Sequence, residues 1–176
     1  YYHYIKQMKI LKIRSDLQKI RDKKEKIAFI PTMGALHAGH VSMIKKAKKN
    51  KQKTLISIFI NPKQFNSNKD FMNYPKNIMR DKKILKNVKI DYLFLPSVKQ
   101  IYSFKTKNKI FIDDFGKRLC GRYRPGHFKG VVNVVNRFLE IIKPDTIYLG
   151  KKDFQQLYLI KKNINKNKIK TKIIPC

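Results

Sequence analysis

A chain of 176 residues with 42% hydrophobic content has the size and composition of one globular domain with a real core. Its 42 Lys and Arg against 11 Asp and Glu would ordinarily point to nucleic acid or an anionic membrane. Seven of those cations are Arg, and the lysines recur in nearly every block of ten, whereas phosphate and base readers concentrate charge and favour Arg. The excess therefore reads as a compositional bias spread over the surface, with weak, salt-sensitive polyanion binding and no specific nucleic-acid partner.

The first residues, YYHYIKQMKILKIR, lack the apolar core of a signal peptide, and no run approaches a membrane span. The chain begins without Met; Met8 reads as the start, which makes Tyr1–Gln7 an extension without function. From Met8 to Lys26, Ile10, Leu11, Leu17 and Ile20 predict an amphipathic helix with lysines outside. Ile27-Ala28-Phe29-Ile30, bounded by Pro31, then reads as a buried strand. A turn around Gly34 follows, and Val41, Met43, Ile44 and Ala47 recur at helical spacing.

His37-Ala38-Gly39-His40 stands where that helix begins. The first backbone N–H groups of a helix lack internal partners and carry partial positive charge, so the layout suits an anion, above all a nucleotide phosphate. Gly34 permits a turn that a side chain would strain, and Gly39 leaves no Cβ before a ligand. Two imidazoles three residues apart lie on one side of the first turn, each able to donate an N–H to a phosphate oxygen. The plainer alternatives are a pair of capping histidines or a metal pair. No Glu accompanies them as in H-E-x-x-H and no third ligand is evident, so no metal site is expected.

Lys53–Ile60 predicts a strand stopped at Asn61-Pro62. Strand, helix, strand implies a right-handed unit with parallel strands, and the loops at their carboxyl ends line the ligand crevice. Asn61 and Gln64 should therefore fall beside His37 and His40. Further on come a helix after Tyr74-Pro75 with Ile78, Met79 and Leu85 in the core, and a strand at Asp91–Leu95. A polar, turn-like stretch follows at Lys99–Lys109, with an edge strand at 109–113. Gly121–Gly130 reads as a basic, irregular loop, Val131–Ile142 as an apolar helix, and Asp145–Leu149 as a strand. Gly150-Lys151-Lys152-Asp153 then opens a helix holding Gln155, Gln156, Leu157 and Ile160, before a last strand at Ile169–Ile174. Alternating strands and helices argue an α/β fold, a Rossmann-like doubly wound, mainly parallel sheet with helices on both faces.

In the second loop Lys152 offers a point charge for phosphate, and Asp153 an acceptor for ribose hydroxyls or a partner for Mg²⁺. The plainer reading is a solvated helix N-terminus with Asp there for the dipole. Arg124 and His127 read as an anion contact or as part of a basic loop, and Gln64 and Gln156 as ligand contacts or as surface amides. Composition does not decide between these. Cys120 and Cys176 are far apart with no C-x-x-C, which argues against a disulfide framework or a zinc site and for a reducing, cytoplasmic home.

Taken together, PTMGALHAGH (31–40), SIFINPKQF (57–65), YPK (74–76), LPSVKQIY (95–102), RPGHFKGV (124–131), PD (144–145) and LGKKDFQQL (149–157) resemble the pantothenate synthetase (pantoate–β-alanine ligase) family of the H-x-G-H nucleotidyltransferases. The blocks occur in family order with family-like spacing across most of the chain. The resemblance implies an acid–amine ligase that condenses pantoate with β-alanine through a pantoyl adenylate, consuming ATP and releasing AMP and pyrophosphate. It implies that Met33, Gly34, Ala35, Leu36, His37, Ala38, Gly39 and His40 embrace ATP, with His40 as proton donor and His37 on the phosphates. Gly150 and Asp153 would meet the ribose, with Lys151 between them, and Lys152 the phosphates. Gln64 and Gln156 would hold pantoate, Gln64 also β-alanine, and Asn61 would fix the pantoyl group. Mg²⁺ would bridge ATP oxygens, and the protein would be a homodimer.

Three positions depart from the family pattern: Cys120 where an acidic residue is usual, Lys151 where an acid or amide is usual, and Asn133 in place of Thr. The resemblance also implies a Ser-Ser-Arg-Asn segment and a C-terminal lid domain beyond this stretch. The 176 residues are expected to be the nucleotide-binding domain, with impaired turnover on their own. The rival expectations are another H-x-G-H nucleotidyltransferase and a basic RNA-binding module without catalysis.

Overall fold

The computed structural model describes residues 7–176, so all of the expected extension but Gln7 lies outside the described residues. Strand β1 (Lys9–Leu11) and helix α1 (Arg14–Arg21) lead into β2 (Ile27–Thr32) and α2 (Ala38–Lys49). Strand β3 (Lys53–Ile58) is followed by a 3-10 turn at Pro62–Gln64, α3 (Asn68–Asn73) and α4 (Ile78–Asn87). Next come β4 (Tyr92–Phe94), α5 (Val98–Tyr102), a 3-10 turn at Asp114–Lys117, α6 (Cys120–Tyr123) and α7 (His127–Ile142). Strand β5 (Thr146–Leu149), a 3-10 turn at Lys151–Asp153, α8 (Phe154–Lys166) and β6 (Lys172–Pro175) complete the described chain.

The strands form one sheet in the order β1-β4-β3-β2-β5-β6, parallel at every pairing. They are short, near-continuous apolar runs, the pattern of strands covered on both faces. Alternate side chains feed two cores. Phe29, Leu55, Phe94 and Ile147 join Leu17 of α1, Ile101 of α5, Phe138 of α7 and Ile160 of α8. Ala28, Ile30, Ile56, Leu93 and Tyr148 face the other way, against Ile44 of α2 and Leu85 of α4. Phe138 carries much of the first core, with edge-on contacts to Phe29, Phe59 and Phe94. The doubly wound α/β architecture is as expected. Strand order reverses beside β2, between β3 and β5, and the loops leaving the carboxyl ends of these three strands meet at that switch point.

Several local expectations are corrected. The stretch from Met8 does not form one helix: Lys9–Leu11 pairs with Tyr92–Phe94 as an edge strand, and the helix begins at Arg14. Segment 109–113 is not a strand. Side-chain amides tether it instead, with Asn163 bridging the N–H and C=O of Phe111 (2.8 and 2.7 Å) and Asn136 holding the Lys109 carbonyl. The turn-like region contains α5, with Ile101 fully buried. The basic loop is shorter than expected, because α6 occupies Cys120–Tyr123 and α7 starts at His127. In α4, Leu85 is buried but Ile78 and Met79 are exposed, and the side chain drawn inside is Asp81.

Candidate active site

The loop between β2 and α2 is held by a carboxylate. Gly34 and Ala35 both adopt left-handed backbone, with φ of 82° and 50°. Successive residues of this kind turn their N–H groups toward one concavity that suits an anion. Here the anion is internal: the N–H groups of Ala35 and Leu36 each donate to an Asp81 oxygen at 2.9 Å, and Asp81 is 1% exposed. A Cβ on Gly34 would stand 2.9 Å from the same carboxylate.

The two histidines cap the helix that follows. His37 is the N-cap; its Nδ1 accepts from the Gly39 N–H at 3.1 Å, and its own N–H donates to His40 Nδ1 at 3.3 Å. Their rings lie tilted at 49° with centroids 4.1 Å apart. Because both Nδ1 atoms accept, the neutral rings carry their protons on Nε2. Burial, and then the neighbouring His37, pushes His40 below the ordinary imidazole value, which favours that neutral form. The amides of Ala35, Leu36, His37 and Gly39 already have partners within the protein, which leaves the Nε2–H groups among the donors this element can offer a ligand. Gly39 lines the cavity and also leaves room for the His37 ring. A Cβ there would meet His37 Cε1 at 2.9 Å.

The turn after β3 is built by the start of α7. Asn61 caps it, and its Nδ2 donates to Gln64 Oε1 and to the Gly130 carbonyl, both at 3.1 Å. His127 is buried, and its Nδ1 lies 2.8 Å from the Gln64 carbonyl, to which it donates. Burial also holds His127 below its usual value. The RPGHF segment therefore braces the Asn61–Gln64 turn through His127, and Arg124 is exposed on the surface. Gly130 allows the close approach, since a Cβ would lie 2.1 Å from the Lys63 carbonyl oxygen.

These elements and the loop after β5 surround one cavity of about 620 Å³. Met33, Gly34, Ala35, His37, Gly39 and His40 form one wall. Asn61 and Gln64 stand beside them, as topology implied. Gly150, Lys152, Asp153 and Gln156 contribute from the β5 side, and a Cβ on Gly150 would point into open space. Val131, Val134, Val135 and Phe138 of α7 give the cavity an apolar floor. Three expected residues do not line it. Leu36 is fully buried in the second core, Ala38 lies on the outer side of α2, and Lys151 is exposed with its N–H on the Cys176 carbonyl. Of the atypical positions, Cys120 is exposed on α6 and Asn133 accepts from Arg137 Nε at 3.0 Å, both away from the cavity.

Sequence reasoning missed Asp81, Tyr74 and Tyr102. Tyr74 lines the cavity, with its hydroxyl pushed up by burial. Tyr102 stands behind Asn61, its hydroxyl 2.7 Å from Asn61 Oδ1. The available hint for Asp81 was its being the single acid of a lysine-rich helix.

Known proteins share this fold. The family model described as pantoate-beta-alanine ligase matches residues 5–176. A pantothenate synthetase of Francisella philomiragia is 47% identical over 155 residues, covering 88% of this chain and 59% of that protein. Another from Sulfurihydrogenibium is 41% identical over 157 residues, covering 89% and 56%. Among solved structures, a pantoate-beta-alanine ligase of Francisella tularensis, complexed with beta-gamma ATP and beta-alanine, superposes with a TM-score of 0.90 at 43% identity, over 97% of this chain and 67% of that one. A pantothenate synthetase of Thermus thermophilus gives 0.87 at 30% identity, over 96% and 61%. The chain spans between 55% and 61% of the length of the curated relatives it matches. With a match along nearly its whole length and the same fold, the chain belongs to the pantoate-beta-alanine ligase family.

Proposed function

We propose that this chain is the nucleotide-binding domain of an enzyme that joins pantoate to β-alanine at the expense of ATP. The observation that carries the reading is the convergence of His37, His40, Asn61, Gln64, Lys152, Asp153 and Gln156 on one cavity at the sheet's switch point. Pantoate bears a carboxylate, two hydroxyls and a gem-dimethyl centre. The amides of Asn61, Gln64 and Gln156 suit its polar groups, and the floor of Val134, Val135 and Phe138 suits the methyls.

In the first step a pantoate carboxylate oxygen attacks the α-phosphorus of ATP, the bond to the bridging oxygen breaks, and pyrophosphate departs. The Nε2–H groups of His37 and His40 and the ammonium of Lys152 stabilise the charge gathering on the phosphate oxygens. Gly150 lets the nucleotide approach the backbone, with Asp153 accepting from the ribose. In the second step the amine of β-alanine, whose carboxylate Gln64 holds, attacks the acyl carbon. AMP leaves with the acyl–phosphate oxygen and the amine loses a proton.

Among the described residues no group of three or more His, Cys, Asp or Glu could hold a metal ion, and Asp153 is the one carboxylate on the cavity. That donor set fits Mg²⁺ carried on ATP oxygens, where it would neutralise phosphate charge, rather than a resident metal. We extend the proposal to a cytoplasmic homodimer, supported by two free cysteines and by exposed apolar side chains such as Met72, Leu119 and Phe154. No helix among the described residues is long and apolar enough to cross a membrane.

Pyrophosphate exchange into ATP tests the reading. Exchange should require pantoate, and AMP release should require β-alanine as well. Exchange driven by a different acid or nucleotide acceptor would favour another H-x-G-H transferase. Tight RNA binding at physiological salt, without exchange, would favour a nucleic-acid module.

A further inference from the structure

The amides of Asn61 and Gln64 are not free to turn. Asn61 Oδ1 lies 3.2 Å from the Lys63 N–H and 2.7 Å from the Tyr102 hydroxyl, while Nδ2 faces the Gly130 carbonyl and Gln64 Oε1. Turning the amide over would set a donor against the Lys63 N–H and an acceptor against the Gly130 carbonyl, two backbone groups that cannot exchange roles. Both Nδ2 protons are thus used, and Gln64 Oε1 must accept. The group Gln64 has left is its Nε2, which reaches Met33 Sδ at 3.0 Å, a weak acceptor that a better one can displace.

We infer that Tyr102 is a positioning residue for substrate: it clamps a one-way hydrogen-bond relay through Asn61 to Gln64, so that the cavity presents N–H donors and selects an acceptor, a carboxylate or hydroxyl, over a ligand that presents an N–H. The inference rests on pantoate as the substrate. The Tyr102 ring has the Lys63 ammonium 4.2 Å from its centroid and the Arg137 guanidinium 5.0 Å away, so the ring is anchored independently of its hydroxyl. Arg137 is itself tied to the carbonyls of Ile101 and Phe104 at 3.1 and 2.7 Å. Burial pushes the phenol up to about 12, although Arg137 and the Asn61 hydrogen bond pull the other way, so Tyr102 remains a donor throughout the working pH range.

Tyr102→Phe removes the hydroxyl and keeps the anchored ring. Two measurements test the inference. In the ligand-free chain, the side-chain NH₂ signals of Asn61 and Gln64 in ¹⁵N spectra should move toward unstructured values in Tyr102→Phe while backbone signals elsewhere stay in place. Unchanged side-chain signals would overturn the relay. In steady-state exchange, the KM for pantoate should rise roughly three- to tenfold, the loss of one hydrogen bond, with the KM for ATP unchanged. A parallel rise in both constants would mark Tyr102 as merely structural and overturn the positioning role. A shift in the NH₂ signals in a chain that shows no pantoate dependence would support the relay and overturn pantoate as its ligand, which separates this inference from the functional reading.

Discussion

Replacing Asp81 by Asn changes one atom and should disable the loop that carries the histidines. Both carboxylate oxygens are occupied, by the N–H groups of Ala35 and Leu36 at 2.9 Å, in a site where Asp81 is 1% exposed. Asn keeps one acceptor, now uncharged, and turns an NH₂ toward the other backbone donor. A charge-assisted bond contributes about 1.5–3 kcal/mol and a neutral one about 1, while a buried donor left without a partner costs about 1–3 kcal/mol. Together these give a loss of roughly 2–4 kcal/mol, within the 5–15 kcal/mol that holds an ordinary domain, so the variant should still fold. For a chain of this length the loss corresponds to a fall in Tm of roughly 4–16 °C. The backbone at Gly34 and Ala35 is left-handed, and Ala35 has no glycine freedom, so an unclamped loop should relax and move the His37–His40 pair. Thermal unfolding followed by circular dichroism, with ATP titration by calorimetry, should show both the lower Tm and weaker ATP binding. A variant with Tm within about 1 °C of the parent and unaltered ATP affinity would refute the clamp.

Gly130→Ala lies inside α7, where helix propensity alone would add about 1 kcal/mol of stability. The new Cβ would fall 2.1 Å from the Lys63 carbonyl oxygen and 2.7 Å from Gln64 Cα, so we expect a net loss of about 1–3 kcal/mol in urea unfolding and a higher KM for pantoate. Gly39→Ala meets the movable tip of His37 at 2.9 Å. Stability should change by less than about 1 kcal/mol, while kcat in the exchange assay falls because the His37 cap is displaced. His40 and His127 are both held below the ordinary imidazole value of 6.5, chiefly by burial. The unfolded chain therefore binds more protons than the folded one as pH falls through that value, and stability rises with pH across the window. Tm should decline from about pH 7.5 to about 5.5, with a shallower slope in His40→Asn, and a flat profile would contradict the assignment. The 176 residues alone should bind ATP weakly and turn over slowly; full-rate AMP release by this chain would refute that expectation.

The sequence by itself determined the central β2–loop–α2 unit, the parallel doubly wound sheet and the placement of Asn61 and Gln64 beside the histidines, while Lys152 and Gln156 were named by the family resemblance. Short apolar runs separated by helical repeats leave little choice of topology, and a parallel sheet brings all its strand ends to one side. The pieces that local pattern does not encode were decided by the tertiary structure. Strand β1 is three residues with one buried side chain, too short for any period, and exists because β4 offers it a free edge. Asp81 looked like a solvated acid on a helix, and only a loop 45 residues away, with two amides in need of an acceptor, draws it inside. Tyr102 and His127 likewise act across separations of 41 and 63 residues. From sequence the H-x-G-H segment reads as an anion site. What folding decided is that its amides serve the protein's own carboxylate and imidazoles, because a left-handed loop with buried N–H groups must satisfy them internally whenever no ligand is bound.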